Sequence, residues 1–139
     1  MTGREALYEY RLNQAEITLD DAKKMLLAKI SPRSVINRAY YAMFYILLAL
    51  FMKVNLNIKT SKHTGVISIF DKEFVLSGKI DRKYSKMLHM IFDDRQEYDY
   101  KELIEVSQND AINAVDYADD FINEIKRFID SAKLSGINS

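Results

Sequence analysis

The sequence predicts an all-α protein built as an antiparallel bundle of four to five helices. One proline and four glycines among 139 residues leave little material for hairpins and tight turns, which favours long helices. Apolar residues recur at spacings of three and four along most of the chain, as they do on the buried face of a helix. Because the breaks between these periodic segments are short, neighbouring helices have to run in opposite directions.

Length and composition indicate a single globular domain spanning residues 1–139, ordered from about residue 4 to 132, with a tail at 133–139. Apolar residues make up 48% of the chain and charged residues 29%, a balance typical of a folded protein. Since the chain contains no cysteine, disulfides and thiolate metal sites are excluded.

The first helix is predicted from about Arg4 to Lys29 and opens with a capping-box pattern at Thr2 and Glu5. Its apolar residues form a loose face composed of Leu7, Ala15, Ile17, Leu19, Ala22, Met25, Leu26 and Leu27.

The second helix is predicted from Pro32 to about Val54, with Ser31 as its N-cap and Pro32 at the first helical position. It contains an uncharged run, Ala39–Met52, that is apolar on all sides. A membrane-spanning helix needs about 20 such residues, more than this run supplies. We therefore interpret it as a core helix that the rest of the chain covers.

A third helix is predicted from Lys62 to about Leu76, capped by Thr60 or Ser61 and terminated at Ser77-Gly78. Asp81 caps a fourth helix, whose single face carries Tyr84, Leu88, Ile91, Arg95 and Tyr98. A fifth helix runs from about Ser107 to Ala132, with an apolar stripe of Ile112, Val115, Ala118, Phe121 or Ile122, Ile125 and Ile129.

The N-terminal residues show no export signal, so a cytoplasmic protein without membrane association is expected. The net charge is zero, which gives no global attraction for nucleic acid. Charge is nevertheless unevenly distributed along the chain. The segment from Lys53 to Arg95 contains nine Lys or Arg residues and five Asp or Glu residues. One basic face and an ordinary unevenly charged surface are both compatible with this pattern.

Motifs for phosphate-binding glycine loops, serine hydrolases and zinc metallopeptidases do not occur. With two histidines and no E-x-x-H pair on a helix, neither a metal site nor a cofactor is expected.

The most suggestive cluster is Arg95, Tyr98, Asp99 and Tyr100. Arg95 and Asp99 are four residues apart on a helix and can form a surface ion pair of a few tenths of a kcal/mol. However, Arg95 continues an apolar stripe, where a guanidinium needs a partner and can bind a phosphate with paired donors. Structural pairing and a phosphate or RNA contact both remain open.

Two further groups have alternative interpretations. His63 is either a solvated loop residue or a base or phosphate donor beside Lys59 and Lys62. Arg38, Tyr41 and Tyr45 share one helix face, which offers one cation and two phenols. The aromatic residues Tyr40, Tyr41, Phe44 and Tyr45 either pack in the core or stack on nucleobases. His89, one residue off the apolar stripe, is expected at the surface.

Three segments together resemble the HEPN family, named for higher eukaryotes and prokaryotes nucleotide-binding. They are the run Ser34–Phe44 (SVINRAYYAMF), then His63–Val66 with Phe70 and Phe74–Gly78, and finally Arg95–Tyr100 (RQEYDY). Their order and spacing are similar to the small stand-alone branch of the family, and the resemblance covers about Ala6 to Phe128.

The resemblance implies an antiparallel bundle that forms a homodimer, with its functional residues at the dimer cleft. Members accompany a minimal nucleotidyltransferase in toxin–antitoxin pairs, in which a tyrosine close to the motif is adenylylated, and many are metal-independent ribonucleases. The family's catalytic signature is an arginine followed four to six residues later by a histidine. Here no histidine follows Arg95, and Tyr98 stands where that branch usually has alanine before Asp-Tyr.

These expectations lead to one principal hypothesis, a HEPN module that binds nucleotide or RNA at a dimer cleft and acts with a nucleotidyltransferase. The alternatives are a ribonuclease toxin and a non-catalytic interaction bundle. For cleavage, Arg95 would stabilise the phosphorane charge, and the base would be Asp99 or His63. The residues expected to bind nucleotide or RNA are Arg38, Tyr41, Arg95, Tyr98 and Tyr100.

Overall fold

The computed structural model of the chain describes residues 2–60, 62–100 and 105–134, with the side chains of 97–100 and 133–134 outside the described part. Within those ranges the chain forms α-helices and contains no strand. The helices are α1 (Gly3–Leu27), α2 (Pro32–Lys53), α3 (His63–Phe70), α4 (Arg82–Tyr100) and α5 (Gln108–Leu134). The predicted all-α bundle is confirmed.

Side-chain caps start four of these helices, at the residues that the sequence indicates. At the start of α4, Asp81 Oδ1 accepts a hydrogen bond from the Lys83 amide at 2.9 Å. The Thr2 hydroxyl accepts a hydrogen bond from the Glu5 amide at 3.1 Å, and the Glu5 carboxylate accepts one from the Thr2 amide. Ser31 precedes Pro32 and accepts from the Ser34 amide at 3.4 Å. Ser107 and Asp110 form the same reciprocal pair before α5. Each cap satisfies backbone N–H groups that have no partner inside the helix.

Helix α2 is the centre of the bundle, because it contacts each of the other four described α-helices. More than half of its 22 residues are buried, including Tyr40, Leu47 and Phe51. Its length and composition would also suit a membrane span. However, 67% of its most apolar stretch of 18 residues is buried within the protein. The prediction of a buried core helix is confirmed.

The third helix differs from its predicted form. It begins at His63, and the Thr60 hydroxyl accepts from the Lys62 amide at 3.2 Å just before it, while Ser61 lies outside the described residues. After Phe70 the helix widens into a π-helical turn, Asp71–Val75, in which the Leu76 amide donates to the Asp71 carbonyl at 2.8 Å. Apolar spacing does not distinguish the two geometries, because a residue four positions further on stays near the same face in both.

The apolar faces predicted for α1 and α5 are only partly buried. Ala15, Leu19 and Ala22 of α1 lie in the core, whereas Leu7 and Ile17 are 40% and 53% exposed. In α5, Ile112 is 39% exposed, although the rest of the predicted stripe is buried. Helix α1 thus presents an apolar surface to solvent as well as to the core, and Tyr10 (57% exposed) extends it.

Replacing Phe70 by alanine tests the packing at the end of α3. The Phe70 ring is fully buried and packs against Phe74 and Phe121, with ring centroids 6.1 and 5.6 Å apart. We expect Phe70→Ala to lower the free energy of unfolding by about 3–5 kcal/mol in urea denaturation, because it leaves a cavity. Leu76→Ala is the control; its side chain is 83% exposed, and a change within about 0.5 kcal/mol is expected. Equal effects of the two substitutions would contradict this core.

Candidate functional site

Arg95 reaches across from α4 to the N-terminal half of α2. The buried residues Leu88 and Ile91 hold this face of α4 against the core, and the apolar stripe ends at the half-buried Arg95. The Arg95 Nε–H donates to Asn37 Oδ1 at 2.9 Å, and Nη2 makes a longer 3.4 Å contact with the Tyr41 hydroxyl oxygen. Arg95 is therefore anchored on α2 through one edge of its guanidinium.

The Arg95 guanidinium also lies against two aromatic rings. Its Cζ atom is 5.1 Å from the ring centroid of Tyr40 and 5.2 Å from that of Tyr41. The negative faces of such rings attract a cation, and a guanidinium tolerates partial loss of water better than an ammonium group does. These contacts explain how a charged residue can continue an apolar stripe.

His63, the first residue of α3, joins the same cluster. Its Nδ1 atom lies 2.9 Å from the Tyr40 hydroxyl, and its ring packs on Phe44 with centroids 4.2 Å apart. The preceding loop lies tightly against this turn: a Cβ atom at Gly65 would stand 2.6 Å from the Thr60 side chain. Glycine at that position allows the close approach that places His63 here.

Burial and charge set the protonation states in the cluster. Desolvation lowers the pKa of His63 below its usual range, and the Arg95 cation lowers it further. Burial raises the pKa of Tyr40, an effect that Arg95 only partly offsets. At neutral pH the cluster therefore contains one fixed cation, a neutral imidazole and, at Tyr40, a neutral phenol.

The structure brings together some of the predicted site residues and separates others. Arg95, Tyr41 and His63 belong to one cluster, whereas Arg38 is exposed on α2. Tyr45 is half-buried with its ring 5.9 Å from that of Tyr41. The predicted residues Tyr98, Asp99 and Tyr100 lie in the last turn of α4, and their side chains are outside the described part, so the Arg95–Asp99 pairing stays a prediction.

Sequence reasoning missed the role of Asn37 in holding Arg95 and that of Tyr40 in holding His63. A signal was present, because Asn37, Tyr40, Tyr41 and Phe44 follow the i, i+3, i+4, i+7 spacing of one helix face. The spacing could not show which side chains pack on this face, because Arg95 and His63 approach it from α4 and α3.

His89 lies apart from this cluster. Its Nε2 atom pairs with Asp71 Oδ2 at 2.6 Å, and the Ser85 hydroxyl donates to Asp71 Oδ1 at 2.6 Å. With its side chain 47% exposed, His89 is a surface residue, as predicted. These contacts connect the π-helical turn to α4.

The described cluster can bind an anion through a cation and a hydrogen-bonding imidazole beside aromatic rings. Among the residues that the structure describes, no group of three or more His, Cys, Asp or Glu side chains could hold a metal ion. The expectation that no metal or cofactor is required stays a prediction.

The chain is similar to known proteins over nearly its whole length. It is 35% identical over 133 residues to a "UPF0332 protein" of Thermotoga maritima, which covers 96% of this chain and 98% of the relative. Two proteins of Methanocaldococcus jannaschii, each named "Putative toxin", are 28% identical over 126 residues and 34% identical over 113. The first of these alignments covers 91% of this chain and 84% of the relative; the second covers 81% of each. The family described as "HEPN domain" matches residues 8–128, and the chain belongs to this family.

Proposed function

We propose that this HEPN protein binds RNA or a nucleotide through the Arg95 cluster, which comprises Asn37, Tyr40, Tyr41, His63 and Arg95. In this proposal the cluster lies at the cleft of a homodimer. The protein acts with a minimal nucleotidyltransferase in a toxin–antitoxin-like pair. The observation that carries the proposal is the convergence of Arg95 and His63 on the same two tyrosines. The Arg95 Cζ atom and the His63 ring centroid each lie within 5.5 Å of the ring centroids of Tyr40 and Tyr41.

This arrangement suits a phosphate group. A guanidinium presents planar, paired N–H donors that match phosphate oxygens, and partial burial strengthens its electrostatic attraction. Lys59 and Lys62 are exposed just before His63, so the approach to the cluster is also basic.

The aromatic residues favour a nucleotide or RNA over a simple phosphate ion. Tyr41 and Tyr45 are half-buried neighbours on α2, and each leaves part of its side chain accessible. Bases stack on such rings without a strict sequence preference, which is typical of single-stranded nucleic-acid binding. The names of the Methanocaldococcus relatives also agree with a toxin-like role.

Dimerisation is supported by the apolar outer surface of α1. Leu7, Tyr10 and Ile17 are exposed there, and α1 and α2 border a groove. The groove is lined by Arg4, Leu7, Arg11, Leu48, Met52, Leu56, Asn57 and Ile58. Exposed apolar surface of this kind is frequently an interaction site.

A metal-independent ribonuclease is the second candidate function, and the position of His63 favours it. The family's catalytic histidine does not follow Arg95, but α3 places His63 on the tyrosines that Arg95 contacts. An imidazole beside a cation is the pair of groups that RNA cleavage without metal requires.

Arg95→Ala tests the binding proposal. Fluorescence anisotropy with a fluorescein-labelled single-stranded RNA dodecamer is expected to show affinity reduced roughly 10- to 100-fold, because a charged hydrogen-bond donor is lost. Arg95→Lys is expected to recover only part of this loss, since an ammonium lacks the paired donors. The same samples on a denaturing gel show whether the RNA is cleaved.

Arg82→Ala is the matched control, because it removes an exposed arginine from the start of the same helix. Its affinity should stay within about a factor of two of the wild type, as expected for a remote phosphate contact at most. If Arg82→Ala and Arg95→Ala weaken binding equally, the Arg95 cluster is not the binding site. RNA cleaved by the wild type but not by Arg95→Ala would select the ribonuclease alternative.

The homodimer is tested by sedimentation of the double variant Tyr10→Asp, Ile17→Asp. The wild type is expected to sediment as a dimer and the variant as a monomer, because two charges in an apolar interface lose their water without gaining partners. Leu76→Asp, on a still more exposed apolar residue after the π-helical turn, should leave the dimer intact. A monomeric wild type would refute the dimer, and a dimeric double variant would place its interface elsewhere.

The nucleotidyltransferase partnership is tested by co-expressing the chain with a minimal nucleotidyltransferase and measuring its intact mass. In the proposed modification a tyrosine oxygen attacks the α-phosphate of ATP, a Tyr–O–P bond forms and pyrophosphate leaves. We expect the added adenylyl mass to be lost in Tyr98→Phe or Tyr100→Phe and retained in Tyr10→Phe. An unmodified wild-type chain, recovered with active nucleotidyltransferase, would count against the partnership.

A further inference from the structure

We infer that Tyr40 is a positioning residue that fixes neutral His63 with its proton on Nε2. In this tautomer His63 donates a hydrogen bond to the anion bound beside Arg95 instead of accepting a proton from it. The inference rests on the proposed function, because it assigns the role of one side chain within that binding site.

The hydrogen bond between Tyr40 and His63 has one direction that satisfies both groups. Tyr40 is completely buried, and the acceptor for its hydroxyl among the described residues is His63 Nδ1 at 2.9 Å. A tyrosine hydroxyl keeps its proton at neutral pH, and burial raises the pKa of Tyr40 further. If Nδ1 carried a proton and donated to Tyr40, the phenolic proton would be buried without an acceptor, which costs free energy. The phenol therefore donates to Nδ1.

The direction of this bond determines the state of the second ring nitrogen. A neutral imidazole has one N–H and one bare nitrogen, so an accepting Nδ1 requires the proton on Nε2. Among the described residues, no side-chain nitrogen or oxygen is both fully buried and without a partner. Nε2 has no hydrogen bond to a described residue, so it is not fully buried, and we expect it to be open to a ligand.

The surroundings of His63 keep the ring neutral. Burial and the Arg95 cation both lower its pKa, and its position at the first residue of α3 adds the positive end of the helix dipole. The tyrosine rings that pack against His63, those of Tyr40 and Tyr41, bring no carboxylate that would hold a second proton on the imidazole. Close packing against the tilted Phe44 ring, with centroids 4.2 Å apart, restricts rotation of the imidazole away from Tyr40.

The His63 Nε2–H group and the Arg95 guanidinium both favour a negatively charged ligand. Both present hydrogens, and both stabilise negative charge on a phosphate oxygen. A general base at this position would instead need a lone pair on Nε2. The tautomer therefore favours anion binding at this site over abstraction of a 2′-hydroxyl proton by His63.

Two-bond ¹H–¹⁵N correlation spectra of the ligand-free protein above pH 7 test the tautomer directly. The chain has two histidines, and the His89→Gln variant assigns them. For His63 we expect a bare-nitrogen shift at Nδ1 and a protonated-nitrogen shift at Nε2. In Tyr40→Phe the Nδ1 shift should move toward the average of the two tautomers. A proton on Nδ1 in the wild type would overturn the inference.

Affinity for the same RNA dodecamer separates a donor role from a base role. His63→Gln places an amide N–H near the Nε2 position and should bind within about threefold of the wild type, whereas His63→Ala should bind about tenfold more weakly. Equal losses in the two variants would refute the donor role while the Arg95 dependence of binding stands. If binding does not depend on Arg95 at all, the proposed function fails, even when the spectra show the Nε2–H tautomer.

Discussion

The structure depends on the burial of α2 by the protein's own helices. A helix that is apolar on all sides is stable in water only when other segments cover it, and here each of the other described α-helices contacts it. The remaining helices need only one or two apolar faces, which their sequences supply at spacings of three and four. The arrangement of the bundle follows from covering this one element.

The same constraint determines where the Arg95 cluster lies. Near its N-terminus α2 carries Asn37, Tyr40 and Tyr41, whose side chains hydrogen-bond to groups on α3 and α4. Arg95 from α4 and His63 from α3 meet them there, at the edge of the core. Partial burial strengthens the electrostatic effect of Arg95, and the amide and phenol groups of α2 compensate for the water it loses. The proposed binding site is built on packed helices, so its side chains are held in place before any ligand arrives.

The cluster also relates this chain to the pattern of its family. In HEPN ribonucleases a histidine is expected shortly after the arginine on the same helix, and this chain has none there. The structure supplies an imidazole from α3 instead, but hydrogen-bonded through Nδ1 to a buried phenol. A histidine held in this way differs in chemistry from one that is free to take a proton. In the proposed site the histidine therefore comes from a different helix than the arginine, and the inferred tautomer makes it a hydrogen-bond donor.

Much of the fold was predictable because helix capping and the burial of apolar residues follow from local sequence, and tertiary packing did not override them. Thr2, Ser31 and Asp81 cap helices as the sequence predicts, and the uncharged run in α2 is buried. The π-helical turn at Asp71–Val75 was not predictable, since α and π geometries keep similar apolar spacing. The exposure of Leu7 and Ile17 was not predictable either, because periodicity shows which residues are apolar and not which face meets a partner.

By itself the sequence determined the helices, the central position of α2 and, through three short segments, membership of the family. It also singled out Arg95, because an arginine that continues an apolar stripe needs a partner. Only the tertiary structure decided that Asn37, Tyr40 and Tyr41 are its partners and that His63 joins them. The physical reason is that helix formation depends on residues a few positions apart, whereas this site joins residues 58 positions apart, whose proximity depends on how whole helices pack.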